Sequence, residues 1–563
     1  MPLHPSVEER LRRLAPDQRA AATAPPGPVL CVAPAGSGKT TTLVSRIAWL
    51  VATGIPPGRV CAVTFNKRAA DELGERVTKA LEPLGGDGPA AEHDREGVRV
   101  RTFHALGREI LVDAGQSVDG LVDRGALLRE LDGDLSAADM RRLDDGFSRL
   151  KLDLAVDTPA LAREVEEAEA RGDPAGPIVR AFLRYESALA ARGGLDFDDL
   201  VRRAISALES DPGLLSRWRR RCSELLVDEV QDVDRSQLRL ALLLAAPDNR
   251  IFLVGDDDQT IYAWRLADVR RVLDLAALLP GLRRVDLVTN YRCPPVVVER
   301  SVRLVEHNRE RFAKRIRAGP ASTGRLFLLP DPGDDVARAR RLLAEWPAPP
   351  GQTRAVLART NAELAPYAAV ALERGLAYRA ADDGLLLDDD AIDDLLDAVS
   401  TQGAPGGAAL SLLERLVVAR GTAGHDHSRA AASLLAWAPR HRSAAELRAA
   451  IAEARTLRAA IRRDDAPLHL ATAHATKGLE FDHVAVVGMD DGRFPSRRTL
   501  DESDDPFRAM EEERRLAYVA WTRARRSLTL VYDPDAPSPF LVEAFSPGEL
   551  AEAAGQRGAR HSQ

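Results

Sequence analysis

The segment 33-APAGSGKT-40 constrains the fold of this chain more than any other stretch of its sequence. It follows the apolar run 28-PVLCVA-33 and precedes the helix-period pattern 41-TTLVSRIAWLVATG-54. Small residues between a buried strand and a helix let backbone N–H groups surround an anion at the helix N-terminus. The pattern therefore predicts a phosphate-binding loop in a parallel α/β sheet, although Ala33 replaces the usual first glycine. A glycine-rich turn without a ligand is the alternative interpretation.

Residues of this loop are the first candidates for nucleotide contacts. Lys39 is expected between the β- and γ-phosphates, and the Thr40 hydroxyl is expected to bind Mg²⁺. The whole set predicted to contact nucleotide here is Ala35, Gly36, Ser37, Gly38, Lys39, Thr40 and Thr41.

An acidic pair ends a second apolar run, 225-LLVDEVQD-232. Ligands of open α/β sheets bind at the carboxyl ends of strands. Asp228 is therefore a candidate Mg²⁺ ligand, and Glu229 is a candidate base for the water that attacks a phosphate. A strand that ends in two acids is common by itself. The pair indicates a metal site and a base only in combination with the phosphate-binding loop.

The rest of the chain shows the alternation that is typical of parallel α/β proteins. At 563 residues, 45% of them hydrophobic, the chain should form several domains. Charged, helix-period stretches at 118–193 and 386–466 indicate helical insertions. Further strands are predicted at 60–65, 98–103, 224–229, 250–255, 285–289, 355–359, 483–488 and 528–532.

Charge and apolar content restrict the environment of the chain. With a net charge of -7, the molecule as a whole should not attract nucleic acid, so any such contact must be local. The four cysteines form no CxxC pair, which disfavours a zinc module or a disulfide framework. No segment has the composition of a signal peptide or a membrane span, and we expect a soluble cytoplasmic protein.

Motifs in a fixed order resemble those of superfamily 1 DNA helicases of the UvrD/Rep/PcrA type. The match extends over nearly the whole chain, and the segments near the C-terminus are long. The matching segments are 14-LAPDQRAA-21, 62-AVTFNKRAADEL-73, 101-RTFHALGREIL-111, 195-LDFDDL-200, 254-VGDDDQTIYAWRLAD-268, 290-NYRCP-294, 357-LARTNAE-363, 472-TAHATKGLEFDHV-484 and 511-EEERRLAYVAWTRA-524.

The resemblance implies an ATP site with Mg²⁺ between two RecA-like domains, each with a parallel sheet and a mainly helical insertion. Gln18 would read the adenine edge, Tyr291 would stack on adenine, and Glu480 would hold the ribose or triphosphate. Gln259 would sense the γ-phosphate or its water. Arg292 and Arg523 would stabilise the transition state, although a surface arginine is the alternative for Arg523.

The resemblance also implies contacts to single-stranded DNA through aromatic and polar side chains. Base stacking on aromatic rings does not depend on base identity, which suits a translocase. Phe103 and Phe197 lie in matched motifs but could equally be core residues. The predicted DNA-binding residues are Phe65, Asn66, His104, Tyr262, Trp264, Arg265, Arg359 and His474.

The acidic triplet 256-DDD-258 raises a separate question, because it could be a metal site or a turn. We interpret it as an acidic turn after the strand 251-IFLVG-255, since Asp228 already supplies the metal carboxylate.

The expected function is ATP-dependent movement on single-stranded DNA and unwinding at single-strand/duplex junctions, 3′ to 5′ by resemblance. The second insertion is shorter than in familiar relatives, so a DNA-stimulated ATPase subunit of a repair or defence complex is an alternative. A nucleotide-dependent switch is another, and a monomer or weak oligomer is expected. The expected domains are 1–117 with 194–284, its insertion 118–193, 285–385 with 467–548, its insertion 386–466, and a flexible tail at 549–563.

Overall fold

The computed structural model forms two compact units, which are described separately. One comprises Met1–Val288 and Glu310–Arg315, and the other comprises Thr289–Arg309 and Ile316–Gln563. In the described residues, no helix is both long and apolar enough to cross a membrane. The structure describes residues 2–85, 97–153, 176–263, 266–346, 349–380, 390–401, 412, 416, 434, 438, 441–461, 463 and 465–561.

A six-stranded parallel sheet organises the first unit, in the order β3-β2-β4-β5-β1-β6. The predicted strands of this part of the chain are confirmed. The strand expected from residue 285 is β6, and it pairs with β1 of this sheet. The predicted start of the second domain at 285 is therefore corrected to Thr289. The strands are β1 (Val29–Val32), β2 (Val60–Thr64), β3 (Arg99–Thr102), β4 (Glu224–Val227), β5 (Ile251–Gly255) and β6 (Arg283–Asp286).

Both faces of this sheet are buried along its four central strands, as their apolar residues require. Successive side chains of a strand point to opposite faces. Leu30 and Val32 of β1 accordingly pack in one core with Leu225, whereas Val29 and Cys31 pack in another. The helices of the unit are α1 (Pro5–Arg12), α2 (Pro16–Ala22), α3 (Lys39–Ala52), α4 (Lys67–Leu81), α5 (Phe103–Asp113), α6 (Arg124–Leu131), α7 (Ala137–Leu152), α8 (Gly176–Ala191), α9 (Asp199–Ser210), α10 (Pro212–Arg221), α11 (Arg235–Ala245), α12 (Val269–Leu273) and α13 (Leu275–Leu278).

Helices α6, α7 and α8 lie in the stretch predicted as the first helical insertion. They share a small apolar core of their own, in which Phe147 contacts Phe182 and Tyr185. A separate core is what an insertion needs in order to fold beside its host domain. The exact limits of the insertion stay a prediction.

A second six-stranded parallel sheet organises the other unit, in the order β11-β12-β10-β13-β14-β9. Strands β10, β13 and β14 confirm the predicted ones. The sequence interpretation missed β9, β11 and β12; β9 and β12 are short apolar runs beside turn residues, and β11 has three residues. The strands are β7 (Thr289–Asn290) and β8 (Arg317–Ala318), which pair with each other, and β9 (Arg325–Pro330), β10 (Arg354–Ala358), β11 (Tyr378–Ala380), β12 (Leu468–Thr472), β13 (Phe481–Val486) and β14 (Ala524–Tyr532).

The C-terminal segment differs from expectation, because Pro547–His561 form a helix where the sequence predicts a flexible tail. Its alanine and glutamate content favours helix, which the tail interpretation underrated. The predicted second insertion contributes α17 and α18 to the described residues. The helices are α14 (Pro295–Val305), α15 (Asp335–Glu345), α16 (Asn361–Glu373), α17 (Asp390–Thr401), α18 (Ala444–Ile461), α19 (Arg497–Asp501), α20 (Pro506–Trp521), α21 (Pro539–Ala544) and α22 (Pro547–His561).

Candidate nucleotide site and nucleic-acid interface

The phosphate-binding loop joins β1 to α3 in the first unit. Gly36 and Gly38 have φ angles of 67° and 81°, a region that favours glycine. A Cβ at Gly38 would lie 2.5 Å from Nε2 of Gln18, so a side chain there would displace the Gln18 amide in addition to straining the backbone. Ala33, in place of the usual first glycine, lies outside the left-handed region and costs no backbone strain.

The side chain of Gln18 is connected to this loop. Its Nε2 donates to the Ser37 carbonyl at 2.7 Å, and its Oε1 accepts from the Ala15 amide at 3.1 Å. These two bonds fix the amide orientation beside Gly38. Reading of an adenine edge by Gln18 stays a prediction.

The predicted cation and the predicted acids meet at the end of β4. Lys39 Nζ lies 2.8 Å from Glu229 Oε2, and Gln231 Nε2 donates to the same oxygen. Glu229 has a φ of 51°, a strained conformation for a residue with a side chain, and strain of this kind clusters at functional sites. The Glu229 amide donates to Asp228 Oδ1 at 3.0 Å, which holds the two carboxylates side by side.

Burial and charge shift the ionisation of these groups. Burial, reinforced by the Glu229 charge, raises the pKa of Asp228 to about 7. For Lys39, burial opposes the charged form, but the carboxylates of Glu229 and Asp228 outweigh it and raise its pKa. Lys39 is therefore a cation at neutral pH. A further positive charge nearby would stabilise the ionised form of Asp228.

The donor set fits a nucleotide with a divalent cation. The loop offers backbone amides and Lys39 for phosphate oxygens, and it offers the Thr40 hydroxyl and the Asp228 carboxylate for Mg²⁺, which prefers oxygen ligands. Ser37 Oγ is buried without a hydrogen-bond partner in the described part of the chain, and a phosphate oxygen would satisfy it.

The acidic triplet forms the predicted turn after β5, and this 3₁₀ turn is buried. Asp256, Asp257 and Asp258 are at most 1% exposed. Oδ2 of Asp256 accepts from the Ala35 amide at 3.1 Å and from Gln259 Nε2 at 2.7 Å. Gln259 is therefore connected to the phosphate-binding loop through one carboxylate.

In the second unit, residues that are far apart in sequence converge on Thr522. Arg292 donates from Nε to Glu480 Oε2 at 2.8 Å and from an Nη to the Thr522 carbonyl at 3.3 Å. Arg523 donates to the Thr522 hydroxyl at 3.2 Å and to the Val519 carbonyl at 2.9 Å. Arg523 is 1% exposed, so the alternative of a surface arginine is wrong. Catalytic roles for both arginines stay a prediction.

Tyr291 precedes this group and is 48% exposed. Its Cδ1 lies close to Gly319, where an added Cβ would be 3.1 Å away. An exposed ring is suited to stacking, which stays a prediction for adenine.

Two aromatic stacks lie at the carboxyl ends of strands in the first unit. Phe65, which follows β2, stacks on Tyr262 with ring centroids 5.3 Å apart and planes 14° apart. His104 stacks on Phe197 at 4.0 Å. Phe197 is 59% exposed, so its interpretation as a core residue is wrong, whereas Phe103 at 2% exposed is a core residue.

Other predicted DNA contacts have partners within the protein. Asn66 caps α4 by accepting from the Ala69 amide at 2.9 Å. Arg359 donates to both oxygens of the buried Glu513, at 2.9 and 3.0 Å. Burial, with the Arg359 charge, lowers the pKa of His474 to about 4, so its imidazole is neutral at physiological pH.

Asn66 and Arg359 therefore have partners within the protein and His474 is neutral, and contacts of these residues with DNA stay a prediction. Trp264 and Arg265 lie outside the described residues.

Family models match the chain at both ends. The model for the UvrD/REP helicase N-terminal domain matches residues 14–279, and the model for the UvrD-like helicase C-terminal domain matches residues 440–534. These ranges include the phosphate-binding loop, the acid pair and the segments around Glu480 and Arg523.

Curated relatives align over most of the chain. The ATP-dependent DNA helicase UvrD2 of Mycobacterium tuberculosis is 33% identical over 559 residues, which cover 91% of this chain and 77% of the relative. The ATP-dependent DNA helicase Rep of Escherichia coli is 27% identical over 652 residues, covering 94% of each chain. The ATP-dependent DNA helicase UvrD1 of Mycobacterium tuberculosis is 28% identical over 656 residues, covering 93% of this chain and 82% of the relative.

Proposed function

The chain belongs to the UvrD/Rep family of ATP-dependent DNA helicases, and from that membership we propose a motor that moves 3′ to 5′ on single-stranded DNA. It separates duplex at single-strand/duplex junctions during repair, recombination or replication. Its sheets are those of RecA-like P-loop domains.

The contact of Lys39 with the Glu229 carboxylate, beside Asp228, is the observation that carries this proposal. Phosphoryl transfer depends on positioning and on charge around the γ-phosphate. Lys39 binds a phosphate, and to do so it releases Glu229. The released carboxylate accepts the proton of the attacking water. Arg292 and Arg523 add positive charge that stabilises the transition state.

Mg²⁺ supplies charge neutralisation for the phosphates when it is bound. Thr40 and Asp228 are the residues that hold it. Burial and the Glu229 charge raise the pKa of Asp228, so a bound cation would stabilise its carboxylate. Removal of Mg²⁺ with a chelator should therefore abolish hydrolysis.

The Phe65–Tyr262 stack supports contact with single-stranded DNA. Both rings are partly exposed and follow strand ends of the same sheet. An unpaired base can stack on such a surface whatever its identity, which allows movement along any sequence.

A second candidate is a DNA-stimulated ATPase subunit with little unwinding activity of its own. The alignment to Rep extends over 652 positions but includes only 94% of the 563 residues of this chain, so over a hundred aligned residues of Rep have no counterpart here. Such gaps remove surface that could engage a duplex.

One pair of assays separates these functions. ATP hydrolysis is measured with and without single-stranded DNA, and strand displacement is then measured on duplexes with a 3′ or a 5′ tail. We expect DNA to stimulate hydrolysis and a 3′ tail to be required for displacement. Stimulation without displacement would favour the subunit function, a requirement for a 5′ tail would reverse the polarity, and no stimulation would leave only a nucleotide switch.

A further inference from the structure

Residues 310–315 belong to the first unit, although in the sequence they are flanked on both sides by segments of the second unit. We call this segment the 310–315 strap. None of the motifs that resemble helicase segments includes it. Its contacts nevertheless lead to the nucleotide site.

The strap supplies the counter-ion of the acidic triplet. Lys314 is fully buried, and its Nζ lies 2.6 Å from Asp256 Oδ1, 2.5 Å from Asp257 Oδ1 and 2.8 Å from Asp258 Oδ2. Three buried carboxylates without a cation would be strongly unfavourable. One ammonium group therefore fixes the positions of all three.

A second cation of the strap contacts a different part of the triplet. Arg311 forms a bidentate pair with Asp258, with Nε and Nη2 at 2.9 and 2.8 Å from its oxygens. The Phe312 amide donates to Asp257 Oδ2 at 2.8 Å. These bonds involve Asp257 and Asp258 and not Asp256.

Asp256 is the member of the triplet that connects the strap to the chemistry. One of its oxygens accepts from Lys314, and the other accepts from Gln259 Nε2 and from the Ala35 amide of the phosphate-binding loop. The orientation of Gln259 therefore depends on a carboxylate whose own orientation depends on Lys314.

We propose that Lys314 is a positioning residue for nucleotide hydrolysis, which acts through Asp256 on Gln259 and the phosphate-binding loop. This inference rests on the proposed function, because it requires ATP hydrolysis. It assigns to the 310–315 strap a role in positioning the groups that act in hydrolysis.

The test uses a charge-matched pair of replacements in the full chain. Asp257→Asn with Lys314→Met removes one acid together with the cation, so no extra buried charge is left. The control, Asp258→Asn with Arg311→Met, removes an acid and a cation from the same cluster but leaves the Lys314–Asp256 contact. DNA-stimulated kcat, KM for ATP and the melting temperature are measured for each.

We expect the Lys314 pair to lower kcat by ~10-fold or more, since a bond to a charged group is lost, with a smaller change in KM. The control should stay within ~3-fold of the unaltered protein. In a Gln259→Ala background, the Lys314 pair should lower kcat by less than ~2-fold further. The effects of two replacements are not additive when one residue acts through the other.

Other results would overturn the inference. These are an unaltered kcat in the Lys314 pair, an equal loss in the control, or an equal loss in the Gln259→Ala background. If the Lys314 pair does not fold, Asp256→Asn is tested instead. Lys314 then keeps the carboxylates of Asp257 and Asp258 as partners. This replacement should lower kcat in the same Gln259-dependent way, and a normal kcat would refute the role. Absence of hydrolysis by the unaltered protein would overturn the proposed function and the inference with it.

Discussion

Lys39 Nζ lies 2.8 Å from Glu229 Oε2, so the cation expected to bind phosphate neutralises the carboxylate expected to accept a proton. The same carboxylate accepts from Gln231, whose Oε1 in turn accepts from the Asp256 amide at 3.0 Å. Lys39, Glu229 and the acidic turn thus form one hydrogen-bonded group. Under the proposed function, exchange of the Lys39 partner would connect nucleotide binding to activation of the base.

Glu229→Gln should reduce ATP hydrolysis by ~10²-fold or more, because an amide cannot act as general base. Binding of a fluorescent ATP analogue should be retained or tightened, since Lys39 no longer has a competing carboxylate. Lys39→Ala is the matched comparison, and it should lose both binding and hydrolysis. A Glu229→Gln protein with normal turnover would exclude Glu229 as the base.

Local patterns in the sequence were sufficient to predict the core of the fold, and they singled out Lys39, Asp228 and Glu229, which the structure brings together. The phosphate-binding loop and the acid pair each follow a strand of continuous apolar residues, so both the strand and its functional end are visible in a short window. Among the strands that escaped prediction, β9 is a short apolar run that ends at Pro330, and His469 lies among the apolar residues of β12.

Long-range ion pairs could not be predicted in this way. The sequence predicts a turn at Asp256–Asp258 but not its burial, because the counter-ions Arg311 and Lys314 come more than 50 residues later. Arg359 looked like a phosphate contact, because its partner Glu513 lies 154 residues away. A charged residue shows its type in the sequence, but its partner is decided by tertiary packing.

Phe65→Ala and Tyr262→Ala should each weaken single-stranded DNA binding by roughly 1 to 3 kcal/mol, the usual contribution of base stacking. ATP hydrolysis without DNA should change little. Because the two rings stack on each other, the double variant should lose less than the sum of the single losses. Fluorescence anisotropy with labelled oligonucleotides measures the affinity.

The control for this prediction is Phe507→Ala, a ring that is 87% exposed on α20 of the other unit. It should leave DNA affinity unchanged. Equal losses in all three variants would indicate a general effect of removing aromatic rings rather than a stacking surface.

Arg359→Ala should lower the melting temperature by several degrees, because the 3% exposed Glu513 loses its bidentate partner. Arg359→Ala with Glu513→Gln should recover part of that loss, since the buried charge is removed. The dependence of DNA affinity on salt should stay close to that of the unaltered protein. An unchanged melting temperature with a salt slope reduced by about one would instead support a phosphate contact.

Asp234 provides a pH-dependent test of stability in the first unit. Burial raises its pKa to about 6, although its Oδ1 accepts from the Gln237 amide and from Ser236. Because its folded-state pKa exceeds the unfolded value, the folded state binds more protons between about pH 4 and pH 6. The free energy of unfolding therefore falls as the pH rises through this window, by at most ~3 kcal/mol. Above pH 6 the protein keeps this lower stability.

Asp234→Asn keeps the helix-capping oxygen and removes the buried charge, so it should raise the melting temperature at pH 7 and have little effect near pH 4. Asp211→Asn is the comparison, because Asp211 also caps a helix but is exposed. Backbone amides, first that of Leu214, lower the pKa of Asp211, so its replacement should decrease stability at pH 7. Thermal unfolding of both variants from about pH 4 to pH 7.5 checks the two opposite signs. A pH-independent difference between Asp234→Asn and the unaltered protein would show that Asp234 does not titrate in this window.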